Sequence, residues 1–272
     1  MINILFYGNC QLEKVKDILN IQKTSDFNVL FIPCFLTSMT DIEFDSVLKK
    51  SDIIITQPIT DNYRGMYYLS SNYIVNKCKK DSIIIFVNNC HFDFYYFDLE
   101  YNKNNKENKK LHYFHKGILE CINQNYDFEH YKNMYIENID LKTFNELKEI
   151  YDKSIKELEN RYEEMKQYSK KNTYFINIID FIKNNYKDKL LFYTFNHPSK
   201  HLLQYIALEI IKILNIKGDI NYDIDPFSDE RYILYHCIQN IVNFKVKEHT
   251  PLIDNKSSIK EIYQMTLLDI LE

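Results

Sequence analysis

The chain carries no surplus of positive charge: 34 Lys and Arg against 38 Asp and Glu give a formal net charge of -4, and the pI is near 6.1. That excludes a general nucleic-acid binder, whose phosphate contacts need a basic face. Arginine is scarce, with only Arg64, Arg161 and Arg231. Each is therefore a candidate for fork-like recognition of phosphate or carboxylate, with a surface ion pair as the alternative. The six cysteines (Cys10, Cys34, Cys78, Cys90, Cys121 and Cys237) include no CxxC pair. This argues against a zinc ribbon or a disulfide framework and fits a reducing, cytoplasmic compartment. His112, His115 and His130, with Asp127, lack metal-ligand spacing, so no metal is expected. No run reaches the roughly 18 apolar residues of a membrane span. The N-terminus also lacks the basic-then-apolar pattern of a secretion signal.

What is present is core. At 272 residues and 45% hydrophobic content, the chain can bury a large interior and is neither disordered nor fibrous. Apolar runs at Ile2 to Tyr7, Phe27 to Ile32, Ile53 to Ile55 and Ile83 to Val87 read as buried strands. Between them lie helical spacings: Leu12, Val15, Ile18 and Leu19 in the first, Asp41 to Lys49 in the second, Met66 to Lys79 in the third. Strands alternating with helices predict an α/β fold, a mainly parallel sheet flanked by helices. From about Leu111 to Tyr168 the pattern is mainly helical, which predicts an insertion at roughly 98–170 within a single 1–272 domain. Leu190 to Phe195 reads as a further strand, followed by a helix through Leu202, Ile206 and Ile210. Helices at Ser228 to Phe244 and through Ile259 to Ile270 complete the chain.

The chemistry is expected at the strand ends, because ligands of such sheets bind beyond the carboxyl ends of the strands. Leu5-Phe6-Tyr7-Gly8-Asn9-Cys10-Gln11 places Cys10 at a strand-to-helix turn, where unpaired N–H groups and the helix dipole favour a thiolate or a bound phosphate. Asn9 and Gln11 stand beside it. Gln57 ends the third strand and Asn88 the fourth. Asn196-His197-Pro198-Ser199 ends the later run. Cys10 and His197 can serve as nucleophile and general base. The amides of Asn9, Gln11, Gln57, Asn88 and Asn196 can position substrate or an oxyanion. The same parts serve acyl transfer and ester hydrolysis.

In combination these motifs are similar to those of a known family. Gly8-Asn9-Cys10-Gln11, Gln57-Pro58, the aromatic stretch Val87 to Phe97 and Phe195-Asn196-His197-Pro198-Ser199 resemble, in that order, the WcbI family of capsular polysaccharide biosynthesis enzymes. The resemblance implies a bacterial acetyltransferase that takes coenzyme A or acetyl-CoA as co-substrate and a sugar or glycan of a surface polysaccharide as acceptor. It also implies that Cys10 and His197 lie at the active site. Asn88-Asn89-Cys90-His91-Phe92 departs from the family's usual proline-containing version. For the CoA phosphates the residues to consider are Gly8, Arg64, Ser199 and Lys200, with Tyr63, Tyr67 and Tyr95 for stacking. The layout also resembles the Rossmann-like and SGNH-like arrangement of esterases, with cysteine for serine. A carbohydrate esterase is therefore the alternative enzyme, and a nucleotide- or glycan-binding module the non-catalytic one.

Overall fold

The computed structural model describes residues 1–19, 26–35, 38–103, 111–138, 140–216, 219–229, 232–244 and 256–271. In chain order the elements begin β1 (Ile2–Gly8), α1 (Cys10–Ile18), β2 (Phe27–Pro33), α2 (Asp41–Lys50), β3 (Ile53–Thr56), α3 (Ser71–Lys77) and β4 (Ile83–Val87). They continue with β5 (Leu99–Tyr101), β6 (Tyr113–His115), α4 (Lys116–Asn123), α5 (Phe128–Tyr131) and α6 (Phe144–Lys166). The last are β7 (Thr173–Ile176), α7 (Ile179–Asn185), α8 (Lys200–Leu214), α9 (His236–Gln239) and α10 (Lys256–Leu271). The chain divides into two compact units, Met1–Cys90 with Ile155–Asn184 and Pro198–Pro226, and His91–Ser154 with Asn185–His197 and Phe227–Glu272.

The first unit is a five-stranded sheet in the order β2-β1-β3-β4-β7, parallel throughout. This is the expected α/β architecture. Side-chain burial follows strand position. The inner strands β1, β3 and β4 are near-continuous apolar runs buried on both faces, whereas edge strand β2 alternates half-buried and exposed residues as far as Phe31. Leu5, Ile54 and Ile85 are fully buried, each worth about 1.5–3 kcal/mol. Strand order reverses between β1 and β3, so the turn after β1 lies where such sheets hold ligands.

The second unit pairs β5 with β6 in an antiparallel ribbon, Leu99 opposite His115. Around Phe92 it gathers an aromatic core, with Phe192 stacked at 5.6 Å and Tyr95 edge-on at 5.3 Å.

Three expectations change. Leu190 to Phe195 is a bent segment, not a strand, although all six residues are buried. The backbone turns back on itself, Tyr193 N donating to His197 O at 2.8 Å, and Phe195 O accepts from Phe92 N at 2.7 Å. The fifth strand is instead β7. Ser228 to Phe244 holds only the short α9 among its described residues, and Arg231 lies outside them. Met66 to Lys79 breaks into a 3-10 turn at Tyr67–Leu69 and then α3, which Ser70 caps by accepting from Tyr73 N.

Candidate active site

The turn after β1 is held by side-chain amides. Asn9 caps α1: its Oδ1 accepts from Gln11 N at 2.9 Å, and its carbonyl accepts from Leu12 N and Glu13 N. Its own N–H donates to Gln57 Oε1 at 2.8 Å. Gln57 Nε2 donates to Gln11 Oε1 at 3.0 Å, which also accepts from Cys90 N at 3.0 Å, while Gln11 Nε2 donates to Cys90 O at 2.9 Å. Thus the ends of β1, β3 and β4 are joined through Gln57 and Gln11, both nearly fully buried. Gly8 is required by this approach, since a Cβ there would sit 2.7 Å from Gln57 Oε1 and 3.0 Å from Leu12 Cδ2.

Cys10 is the first residue of α1 and is partly exposed. Two further thiols lie close enough to feel its charge. Burial, with the nearby Cys10 adding to it, pushes Cys90 up to about 12. Burial also raises Cys34, against the opposing effects of a Tyr63 hydroxyl 3.9 Å from its Sγ and of the Arg64 guanidinium. Both therefore stay protonated near neutrality. Cys10 is the thiol of the three that combines a helix N-terminus with access to solvent.

The remaining expected residues divide between the units. In the first, Asn88 is fully buried; its Nδ2 donates to Leu158 O at 3.1 Å, and its Oδ1 has no hydrogen-bond partner among the described residues. Arg64 is exposed in a left-handed conformation (φ 52°), its guanidinium 5.7 Å from the Tyr63 ring. Ser199 is the buried N-cap of α8, and Lys200 N donates to Asp225 Oδ1 at 3.1 Å. In the second, His197 is half-buried, its ring stacked on Phe227 at 4.5 Å and edge-on to Tyr113 at 5.8 Å. Asn196 Oδ1 accepts from Tyr113 Oη and Thr194 Oγ1, both at 2.9 Å, and its Nδ2 donates to Tyr101 Oη at 2.6 Å. That amide braces the loop carrying His197. His91 pairs with Asp93 at 3.0 Å and leans on Phe195. Tyr95 is fully buried, its hydroxyl donating to Tyr186 O at 2.5 Å, which removes it as a stacking platform for a ligand.

One constellation gave no sequence signal. His115 is fully buried, with Nδ1 3.0 Å from Asp98 Oδ1 and Nε2 accepting from Ile233 N at 3.1 Å. Tyr235 Oη donates to Asp98 Oδ2 at 2.6 Å and lies 3.0 Å from Tyr131 Oη. Its members lie up to 137 residues apart, so no local motif marks it. Among the described residues no three His, Cys, Asp or Glu side chains converge as metal ligands, and no helix is long and apolar enough to cross a membrane.

A solved structure described as WcbI, a novel polysaccharide biosynthesis enzyme, is similar to this chain with a TM-score of 0.78 at 21% identity, over 97% of this chain and 89% of that one. It is described as the native protein without a disulfide bond between coenzyme A and a cysteine. At that identity the likeness speaks for the fold. Comparison with curated proteins gives no match. A family model described as polysaccharide biosynthesis enzyme WcbI matches residues 3–219, most of the chain. The protein belongs to the WcbI family of polysaccharide biosynthesis enzymes.

Proposed function

We propose that this protein is an acyl-CoA-dependent O-acetyltransferase acting on a sugar of a bacterial surface polysaccharide, with Cys10 and His197 as its chemical groups. The observation that carries the reading is the Cys10 turn: a partly exposed thiol on the first residue of a capped helix, at the reversal of strand order, held by the Gln57–Gln11 ladder. The description of the WcbI structure names coenzyme A together with a cysteine. In this chain Cys10 is the cysteine whose position suits that role.

In this reading the N-terminus of α1 and the Arg64 guanidinium receive CoA phosphates, as cations and helix starts do, with Gly8, Ser199 and Lys200 as the other groups assigned to that ligand. Gln57, Gln11 and Asn9 act as positioning residues, since the Gln57 and Gln11 amides and the Asn9 Oδ1 hold the turn. Asn88 Oδ1 is the buried acceptor left for a substrate group or a water. Transfer follows one of two balanced routes. The Cys10 thiolate takes the acetyl group as the CoA thiolate leaves, and a sugar hydroxyl, its proton passing to His197, then takes the acetyl group and releases the Cys10 thiolate. Alternatively, that hydroxyl attacks the thioester directly with His197 as base.

Thermal denaturation with CoA and acetyl-CoA tests the reading. At 100 times its dissociation constant a bound ligand stabilises the fold by about 2.7 kcal/mol. Absence of any shift at millimolar CoA rejects it. Acetate release from an acetylated sugar without CoA would instead assign the esterase.

A further inference from the structure

The second unit contains a pocket of about 160 Å³ lined by Phe94, Phe144, Lys148, Tyr151, Asp152, Tyr186, Lys187 and Ile241. We propose that it is a subsite for one pyranose ring of the glycan, separate from the residues assigned above to acyl transfer. The inference rests on the reading that the enzyme's acceptor is a sugar.

The pocket is built by sequence spacing. Phe144, Lys148, Tyr151 and Asp152 fall at i, i+4, i+7 and i+8 and so form one face of α6. Facing them, Tyr186 stacks on Tyr151 at 4.5 Å, and Phe94 stands edge-on to both, at 5.9 Å from Tyr151 and 5.4 Å from Tyr186. The wall is fixed from behind. Tyr186 O accepts from the buried Tyr95 hydroxyl, and Lys187 O accepts from Asn243 N at 2.6 Å and Phe244 N at 3.2 Å. A site so braced is formed before any ligand arrives.

Its chemistry is that of a sugar contact. The exposed ring of Phe144 can cover the C–H groups of a pyranose, while charged side chains at the rim bind its hydroxyls. Lys148 and Asp152 pair with each other across one helical turn, which presents a donor and an acceptor side by side. The Lys187 ammonium, 5.7 Å from the Tyr186 ring, is in no ion pair among the described residues. It is therefore available to a hydroxyl or to the carboxylate of an acidic sugar. Phe144, 67% exposed, leaves an apolar ring in water at the mouth, and a hydrophobic side chain so placed is covered when a ring docks. The volume of about 160 Å³ suits one ring.

Saturation-transfer NMR on the native protein, with methyl glycosides of neutral hexoses and of hexuronic acids as probes, tests the assignment. At least one glycoside should take up saturation at its ring protons, with the signal lost in Tyr186→Ala. Because that change also removes packing, the exposed Lys187→Ala serves as the variant that keeps the fold; it should weaken binding about tenfold. The chain has no tryptophan, so Phe144→Trp places a single indole at the mouth, and its emission should change saturably with the same glycoside. A stronger signal from uronates assigns an acidic unit, and equal signals a neutral one. No saturation from any probe, or binding that leaves both the indole and Lys187→Ala unaffected, overturns the subsite. A CoA thermal shift that persists in that case leaves the transferase reading standing. Glycoside binding at the pocket without a CoA shift supports the subsite and rejects acyl-CoA chemistry.

Discussion

In the second unit a carboxylate, an imidazole and two phenols form a continuous hydrogen-bonded chain, Asp98, His115, Tyr235 and Tyr131; in the first, a thiol stands at a helix start backed by amides. By residue type alone the former is the more familiar catalytic set. Access separates them. His115 is fully buried, and because Nε2 accepts from Ile233 N its proton resides on Nδ1, toward Asp98. Neither nitrogen is left for a substrate. Burial, with Asp98 adding its charge, raises Tyr235 well above the usual phenol range, and Tyr131 likewise. At the Cys10 turn, by contrast, the buried amides satisfy one another and the thiol remains partly open. A fully satisfied buried network rigidifies a fold, whereas a reactive group needs a path by which substrate can reach it.

Variants sharpen that contrast. The largest expected effect is on turnover: His197→Gln should lower acetyl transfer by about 10²–10⁴-fold, the usual worth of a general base, measured as kcat/KM with acetyl-CoA. His115→Gln should leave kcat unchanged at temperatures where the variant is folded. Asp98→Ala should cost about 3 kcal/mol in denaturant unfolding, since it strands the buried His115 N–H and Tyr235 hydroxyl. An unchanged midpoint would remove the network's structural role. Gly8→Ala should cost about 1–3 kcal/mol, because its Cβ would drive Gln57 from Asn9. Gln57→Ala should cost about 1–2 kcal/mol by leaving the Asn9 N–H unpaired. It should also change the alkylation rate of Cys10, which a role confined to stability would not.

Much of the first unit was legible in sequence. The runs at Ile2, Ile53 and Ile83 became β1, β3 and β4 close to their expected bounds, because strands buried on both faces leave an unbroken apolar signature, and Phe27 to Ile32, apolar but for Asn28, became the edge strand β2. β7 was missed, as Thr173–Ile176 is short and lies at an edge where burial is partial. Leu190 to Phe195 misled for the converse reason: it is apolar and buried, yet its backbone bonds go to a turn and to Phe92. Periodicity reports burial, and only the hydrogen bonds distinguish strand from buried loop. At the site, the convergence of Asn9, Gln11 and Gln57 followed from strand ends in a parallel sheet. Which amide bonds which, across 46 residues between Gln11 and Gln57, is a matter of packing that no local pattern encodes. The Asp98 relay was hidden for the same reason.

The most direct test is the rate of iodoacetamide modification at each cysteine, followed by peptide mass spectrometry at neutral pH with and without CoA. Cys34 and Cys90, buried and held protonated, should react only on unfolding. Cys10 should react in the native protein and be protected by CoA, while the partly exposed Cys78 keeps its rate. Cys10 labelling that is indifferent to saturating CoA would contradict its assignment as the thiol of the acyl-transfer site.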